Sequence, residues 1–382
     1  MPENEVPLST AAVDVAEVAS GLSAEMYRQR RLGPEVFEAV LGAGFLRHFV
    51  PAGFGGRDGT FRQLLPAVAL IGERCPATAW CASLFASTPR FLALFPQAAR
   101  REFWADGPDT AVVCSVLPFG EAVAERGGWR VSGRWPYLSG IEFAEWAVLC
   151  AKVLVDGEPV LKLVAVPREA CRVEETWFSV GMQATGSNTA VLEDVFVPAH
   201  RVVGRETVFA GRPVDPAGEP AAPVAPLPAV NGLTFVVPAL GAARGALALL
   251  SAHVARKVRD APVLPGAPGA QGNLATWESV LARSSAEIDA VGLLLERIAD
   301  VADRGDVTPA EVARGARDAA FAIDVLTGAV NRIFRAAGTG GQVADGLLQR
   351  LWRDVNSIST HQALQFEPAA RNYTRTACEP AG

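Results

Sequence analysis

The sequence predicts a chain of three parts: an N-terminal helical lobe, a middle β-sheet domain and a C-terminal helical bundle. Three observations predict it. Apolar residues recur at helical spacing from Ala11 to about Arg101. Short β-branched runs replace them from about Thr110 to Val203. Long Ala/Leu/Arg-rich segments with few breakers return from Ala239 to about Leu364. Helical, then β, then helical order fits lobes covering 1–110, 111–225 and 226–382.

In the first part, Val36 to Leu41 is an amphipathic turn stopped by Gly42 and Gly44. Phe61 to Leu70 and Thr78 to Phe95 continue the apolar faces, the second interrupted by Pro89. Val50 to Gly56 between them reads as a loop. In the middle part, Val112–Val116, Trp146–Val155, Leu161–Val166 and Ala190–Val197 read as strands between Gly, Pro and Asp. Trp129-Arg130-Val131, Ser132-Gly133 and Arg134-Trp135 read as a hairpin turning at Ser132-Gly133. Gly211 to Pro228, rich in Pro and Ala, reads as a linker.

Bulk properties exclude several classes. Half of the residues are hydrophobic and the net charge is −6, so the chain can bury a large core and carries no nucleic-acid footprint. The N-terminus lacks a basic stretch leading into an apolar run, so no signal peptide is expected. Pro, Arg or Gly breaks the apolar stretches, so no membrane span is expected. Six cysteines without a CxxC pair read as reduced thiols of a cytoplasmic protein. The four histidines show no metal spacing.

The most informative stretch is Gly127 to Trp146. It sets a hydroxyl, Ser139, at the end of an apolar strand beside Gly140. A glycine there lets a flat ligand approach the backbone. On its own, Ser139 reads as an ordinary strand-end serine.

The order of lobes resembles the acyl-CoA dehydrogenase fold, and within it the reduced-flavin-dependent monooxygenases, the oxygenase components of two-component hydroxylases. The resemblance rests on Val50-Pro51 with Phe54-Gly55-Gly56, Cys75 to Trp80, and Gly133-Arg134-Trp135 with Ser139-Gly140 and Trp146. It continues through Trp177, Gly181, Thr185-Gly186-Ser187, Asp194 to Pro198, Arg353-Asp354 and His361. It implies reduced FAD or FMN, O2, a flavin C4a-hydroperoxide, a homotetramer and a separate NAD(P)H-dependent flavin reductase. No GxGxxG nicotinamide unit is present in this chain to replace that reductase.

Two chemistries divide this fold. A dehydrogenase needs a carboxylate base beside a thioester. The resemblance places that base after the Arg-Asp pair, where this chain has Gln362, or on an earlier helix, where Pro220 to Arg259 holds no Asp or Glu. Both positions lack the base. A monooxygenase needs instead a fixed hydroxyl at flavin N5 and a dry pocket. The resemblance places Ser139 at N5. His361 is the second catalytic candidate, able to take a proton from a phenol or indole or to give one to the departing peroxide oxygen.

For the cofactor, the resemblance points to Ser139, Trp135, Gly140, Thr185, Ser187 and Arg256, the last toward a neighbouring subunit. Trp135 and Trp177 are also ordinary β-core residues, and Arg256 an ordinary basic helix end. His48 and His200 read as loop-edge residues and His253 as a helix-seam residue. Several phenol hydroxylases of the family carry a histidine where this chain has Ser87 and Thr88. The expected substrate is an electron-rich aromatic small molecule of phenol, indole or polyketide type, in natural-product biosynthesis. The alternatives are N-oxygenation of an amino sugar and an acyl-CoA dehydrogenase with an atypical base.

Overall fold

The computed structural model describes residues 6–155, 157–215, 224–259 and 271–378. Six helices come first: α1 (Leu8–Gln29), α2 (Pro34–Gly42), α3 (Phe61–Gly72), α4 (Pro76–Ser87), α5 (Pro89–Leu92) and α6 (Gln97–Phe103). Prolines open α2, α4 and α5, where the missing N–H costs nothing. Thr60 and Gln63 close a capping box at the start of α3.

Seven strands follow: β1 (Val112–Glu125), β2 (Gly128–Leu138), β3 (Trp146–Val155), β4 (Glu158–Pro167), β5 (Arg172–Glu174), β6 (Asn188–Pro198) and β7 (Val202–Gly204). They form one sheet in the order β5-β6-β2-β1-β3-β4-β7. Only β1 and β3 run parallel. The hairpin expected at Ser132-Gly133 is not there. β2 runs straight through both residues, and the turn lies at Arg126-Gly127, where Gly127 takes φ 87°. Gly133 is a close-packing residue instead. A Cβ on it would lie 2.5 Å from Gly120 Cα, and the Trp135 indole covers both glycines.

The last part holds α7 (Arg205–Ala210), α8 (Leu227–Arg259), α9 (Gln271–Asp303), α10 (Pro309–Ala336), α11 (Leu347–Ile358) and α12 (Phe366–Cys378). α8 starts well before the expected Ala239 and carries Pro238 in its interior. Pro238 has no N–H for the carbonyl of Thr234. Ser83 Oγ on α4 donates to that carbonyl at 2.9 Å, so the helix continues. Gly72 on α3 and Gly241 on α8 let the two backbones meet: a Cβ on Gly241 would lie 2.1 Å from Ala69 O. α8 has the length and hydropathy of a membrane span, yet 72% of its apolar window is buried inside the fold. One hydrophobic core joins the helical lobe, the sheet and the bundle. The part of the expected linker at 216–223 lies outside the described residues.

Candidate active site

Ser139 directly follows β2, just before Gly140, whose φ of 73° turns the chain away. Gly140 N donates to Thr185 O at 2.9 Å, which seats the Thr185-Gly186-Ser187 turn against the strand end. The Ser139 hydroxyl lies 2.8 Å from the Ser187 hydroxyl, and Ser187 lies 2.6 Å from the Thr185 hydroxyl. Thr185 Oγ1 donates its proton to Met182 O at 2.9 Å. Trp80 Nε1 donates to Ser139 Oγ at 3.0 Å.

These contacts assign every proton. A hydroxyl has one proton to give. Thr185 spends its proton on Met182, so Ser187 donates to Thr185 and Ser139 donates to Ser187. Ser139 already accepts from Trp80. The capacity left on its oxygen is one accepting lone pair.

Met182 is the anchor of this chain of hydroxyls. It sits in left-handed backbone, φ 53°. Its N–H donates to Asp354 Oδ1 at 2.6 Å, and the other oxygen of Asp354 accepts from the Tyr27 hydroxyl. Asp354 is fully buried on α11, and burial pushes its carboxyl up to about 6 despite both hydrogen bonds and the nearby Arg353 and Arg350. Arg353 donates to Val180 O at 3.1 Å. The Arg353-Asp354 pair therefore fastens the 180–185 segment from the far end of the sequence. Sequence reasoning found the pair without its task.

Trp80 joins Ser139 to the second catalytic candidate. Its indole stacks on Phe235 at 4.9 Å and meets the His361 ring edge-on at 5.7 Å. Phe235 and His361 lie 4.0 Å apart. All three are half-buried, so they form an aromatic cluster partly open to solvent. Burial pushes the His361 imidazole down to about 4. Ala363 N donates to His361 Nδ1 at 3.2 Å. The neutral ring therefore carries its proton on Nε2 and offers a donor there.

The other expected residues lie elsewhere. Trp135 is fully buried in the sheet and donates to Cys150 O at 2.7 Å, so no face of it remains for a flavin ring. Its assignment to the cofactor is corrected to the core. Trp177 donates to Met182 O at 2.9 Å and braces the same anchor. Thr185 and Ser187 are buried behind Ser139 and act through it. Arg256 is exposed on the last turn of α8, 21 residues past Phe235. At helical rise that is about 31 Å, so this chain by itself does not bring Arg256 to Ser139. His48 is buried on Thr60 O, His200 pairs with Glu102, and His253 packs edge-on to Trp277. The Gln362 side of the site is exposed and offers no acid. Asp354, the buried carboxylate at this cluster, has both oxygens engaged. Trp80 entered the sequence reading only as the end of the Cys75–Trp80 segment of the resemblance, without a role, and Phe235 carried no signal beyond apolar helical spacing. No group of His, Cys, Asp and Glu suited to a metal occurs among the described residues.

A flavin fits this donor set. The N5 of reduced flavin bears a hydrogen and needs an acceptor, which is what Ser139 has left to offer.

The chain matches the acyl-CoA dehydrogenase C-terminal domain family over residues 233–366. It is 30% identical over 371 residues to the oxygenase component of an FADH2-dependent resorcinol hydroxylase from a Rhizobium species, covering 92% of this chain and 89% of that protein. The crystal structure of the HsaA monooxygenase from M. tuberculosis superposes with a TM-score of 0.90 at 27% identity, covering 97% of this chain and 98% of that one. XiaF from a Streptomyces species, solved with FADH2 and glycerol, superposes with a TM-score of 0.85 at 27% identity over 97% and 95%.

Proposed function

Because the chain belongs to the oxygenase components of two-component flavin-dependent monooxygenases, which use reduced flavin on an acyl-CoA dehydrogenase-like fold, we propose that it hydroxylates an electron-rich aromatic small molecule at the aromatic cluster beside Trp80. The observation that carries the reading is the directed row of hydroxyls ending on Ser139. The reduced flavin, when bound, supplies two electrons and carries one oxygen atom of O2 to the substrate.

The chain's own residues supply the rest. Ser139 accepts the N5 hydrogen and holds it in place. Ser187 and Thr185 keep the Ser139 proton turned away, so the serine cannot rotate to donate. Trp80 and Phe235 keep water from the site, where a polar contact gains strength. His361 donates from Nε2 to an oxygen of the substrate or to the oxygen left behind when its partner is transferred. Proton removal at Nε2 is closed to it in the neutral form.

Phenols and indoles fit a site walled by aromatic rings. The reading takes in a place in natural-product biosynthesis. The reading also takes in a separate flavin reductase, a homotetramer in which Arg256 completes a neighbour's cofactor site, and a cytoplasmic setting.

The test mixes the protein and reduced flavin with oxygenated buffer. The expected result is a near-ultraviolet absorbance that outlives free-flavin oxidation and is shortened at least tenfold by Ser139→Ala, with the oxygen released as hydrogen peroxide. Oxidation at the free-flavin rate in the wild type would overturn the reading.

A further inference from the structure

His361 carries a hydrogen that nothing in the protein takes up. Ala363 N donates to Nδ1 at 3.2 Å, so the imidazole caps the short turn Gln362–Leu364. The ring cannot change tautomer without leaving that N–H unpaired. Burial keeps the ring neutral, and its one proton therefore sits on Nε2. Nε2 has no partner among the described residues and is not sealed from solvent.

The three rings of the cluster present this hydrogen and no acceptor. Phe235, 4.0 Å from the imidazole, is apolar. Trp80 spends its N–H on Ser139. α8, which carries Phe235, has no Asp or Glu along its length. Asp354 has both oxygens engaged. Gln365 Nε2 donates to Ser359 O at 3.2 Å and His361 O at 3.1 Å, and Gln362 is exposed.

A site of this kind sorts ligands by the hydrogens they bring. A carbonyl oxygen accepts the Nε2 hydrogen and brings none of its own. A free O–H in the same place also accepts, but its own hydrogen then faces aromatic carbon. An unpaired donor of that kind costs about tenfold in affinity.

We propose that His361 selects an aryl ketone: the carbonyl oxygen accepts the Nε2 hydrogen, and a phenol group on the same ring stands beside that carbonyl with its O–H closed onto it. This rests on the aromatic-hydroxylase reading and narrows its substrate class. A carbonyl oxygen has two lone pairs, so it serves the imidazole and the neighbouring O–H together. The phenol oxygen still feeds electron density to the ring carbon para to it, so the ring stays nucleophilic. Trp80 and Phe235 give such a flat bicyclic ligand apolar faces to lie against.

The test is anaerobic titration of the full-length protein, loaded with reduced flavin, with 8-hydroxy-1-tetralone and with 8-hydroxy-1-tetralol. The second compound puts an O–H where the first has its carbonyl. The wild type is expected to bind the ketone at least tenfold tighter than the alcohol. His361→Gln brings an acceptor beside its donor, so the gap should narrow at least threefold. An infrared difference spectrum of the ketone, labelled with carbon-13 at the carbonyl, adds a direct readout. Its C=O band should move to lower frequency on binding to the wild type, and the shift should be lost in His361→Phe. Equal binding of the two compounds by the wild type, binding of neither, a gap unchanged in His361→Gln, or a band that does not move in the wild type would overturn the assignment. The lifetime of the near-ultraviolet absorbance is measured without either compound, so a wrong substrate class is told apart from an absent oxygen chemistry.

Discussion

The two sides of the Trp80 indole are built on opposite principles. On one side its N–H enters a polar row, Ser139, Ser187, Thr185 and Met182, in which every proton has one place to go. On the other side its ring meets Phe235 and His361, where contacts are apolar and the one titratable group has lost its charge to burial. The polar side fixes direction, because a hydroxyl that has spent its proton cannot turn. The aromatic side fixes dryness and shape. A site that must hold a reactive oxygen needs both, and this chain puts them on either face of one side chain.

The largest effect should come from cutting the anchor of the polar side. Asp354 serves two donors with two oxygens, and Asn can serve only one well. Asp354→Asn should destabilise the protein by about 1–3 kcal/mol through a buried group left unpaired. The effect should depend on pH. The carboxyl is raised to about 6 in the folded chain, above its unfolded value. Its contribution is therefore fully present below about pH 4 and is lost as pH rises through 6, by about 3 kcal/mol in all. Thermal melts of wild type and variant from pH 4 to 7 check this: the advantage of the wild type should shrink as pH rises. A constant difference would mean that Asp354 does not titrate there.

A smaller effect is expected on the aromatic side. His361→Ala should leave flavin binding unchanged and lower the yield of product per flavin oxidised about tenfold, roughly 1.4 kcal/mol of positioning lost. The imidazole stays neutral above about pH 4, so the product yield should show no limb near pH 6.5. A limb there that vanishes in His361→Ala would restore the histidine as a base.

The same contrast separates what could be read from sequence from what could not. Helix, sheet and bundle were legible because their periodicities differ over long stretches. Ser139 stands out only through the resemblance, because a strand-end hydroxyl beside Gly140 is by itself an ordinary local pattern. The turn was misplaced because Ser132-Gly133 and Gly127-Gly128 offer the same residue type, and only packing under Trp135 decides which glycine stays extended. Trp135 was assigned to the cofactor for its type, while its position between two glycines buries it in the sheet. The roles of Asp354 and Trp80 depend on partners far away in sequence: Tyr27 precedes Asp354 by 327 residues and Ser139 follows Trp80 by 59. No local pattern carries such contacts. Pro238, which reads as a breaker, is tolerated for the same reason, through Ser83 on another helix.

The central claim is that Ser139 faces the flavin as an acceptor because Ser187 holds its proton. The most direct measurement is the ratio of dissociation constants for oxidised and reduced flavin, in the wild type and in Ser187→Ala. Oxidised N5 has no hydrogen and needs a donor, so the wild type should favour reduced flavin at least tenfold. With Ser187 gone, Ser139 is free to donate, and the ratio should fall toward one through tighter binding of the oxidised form. A ratio unchanged by Ser187→Ala would contradict the account.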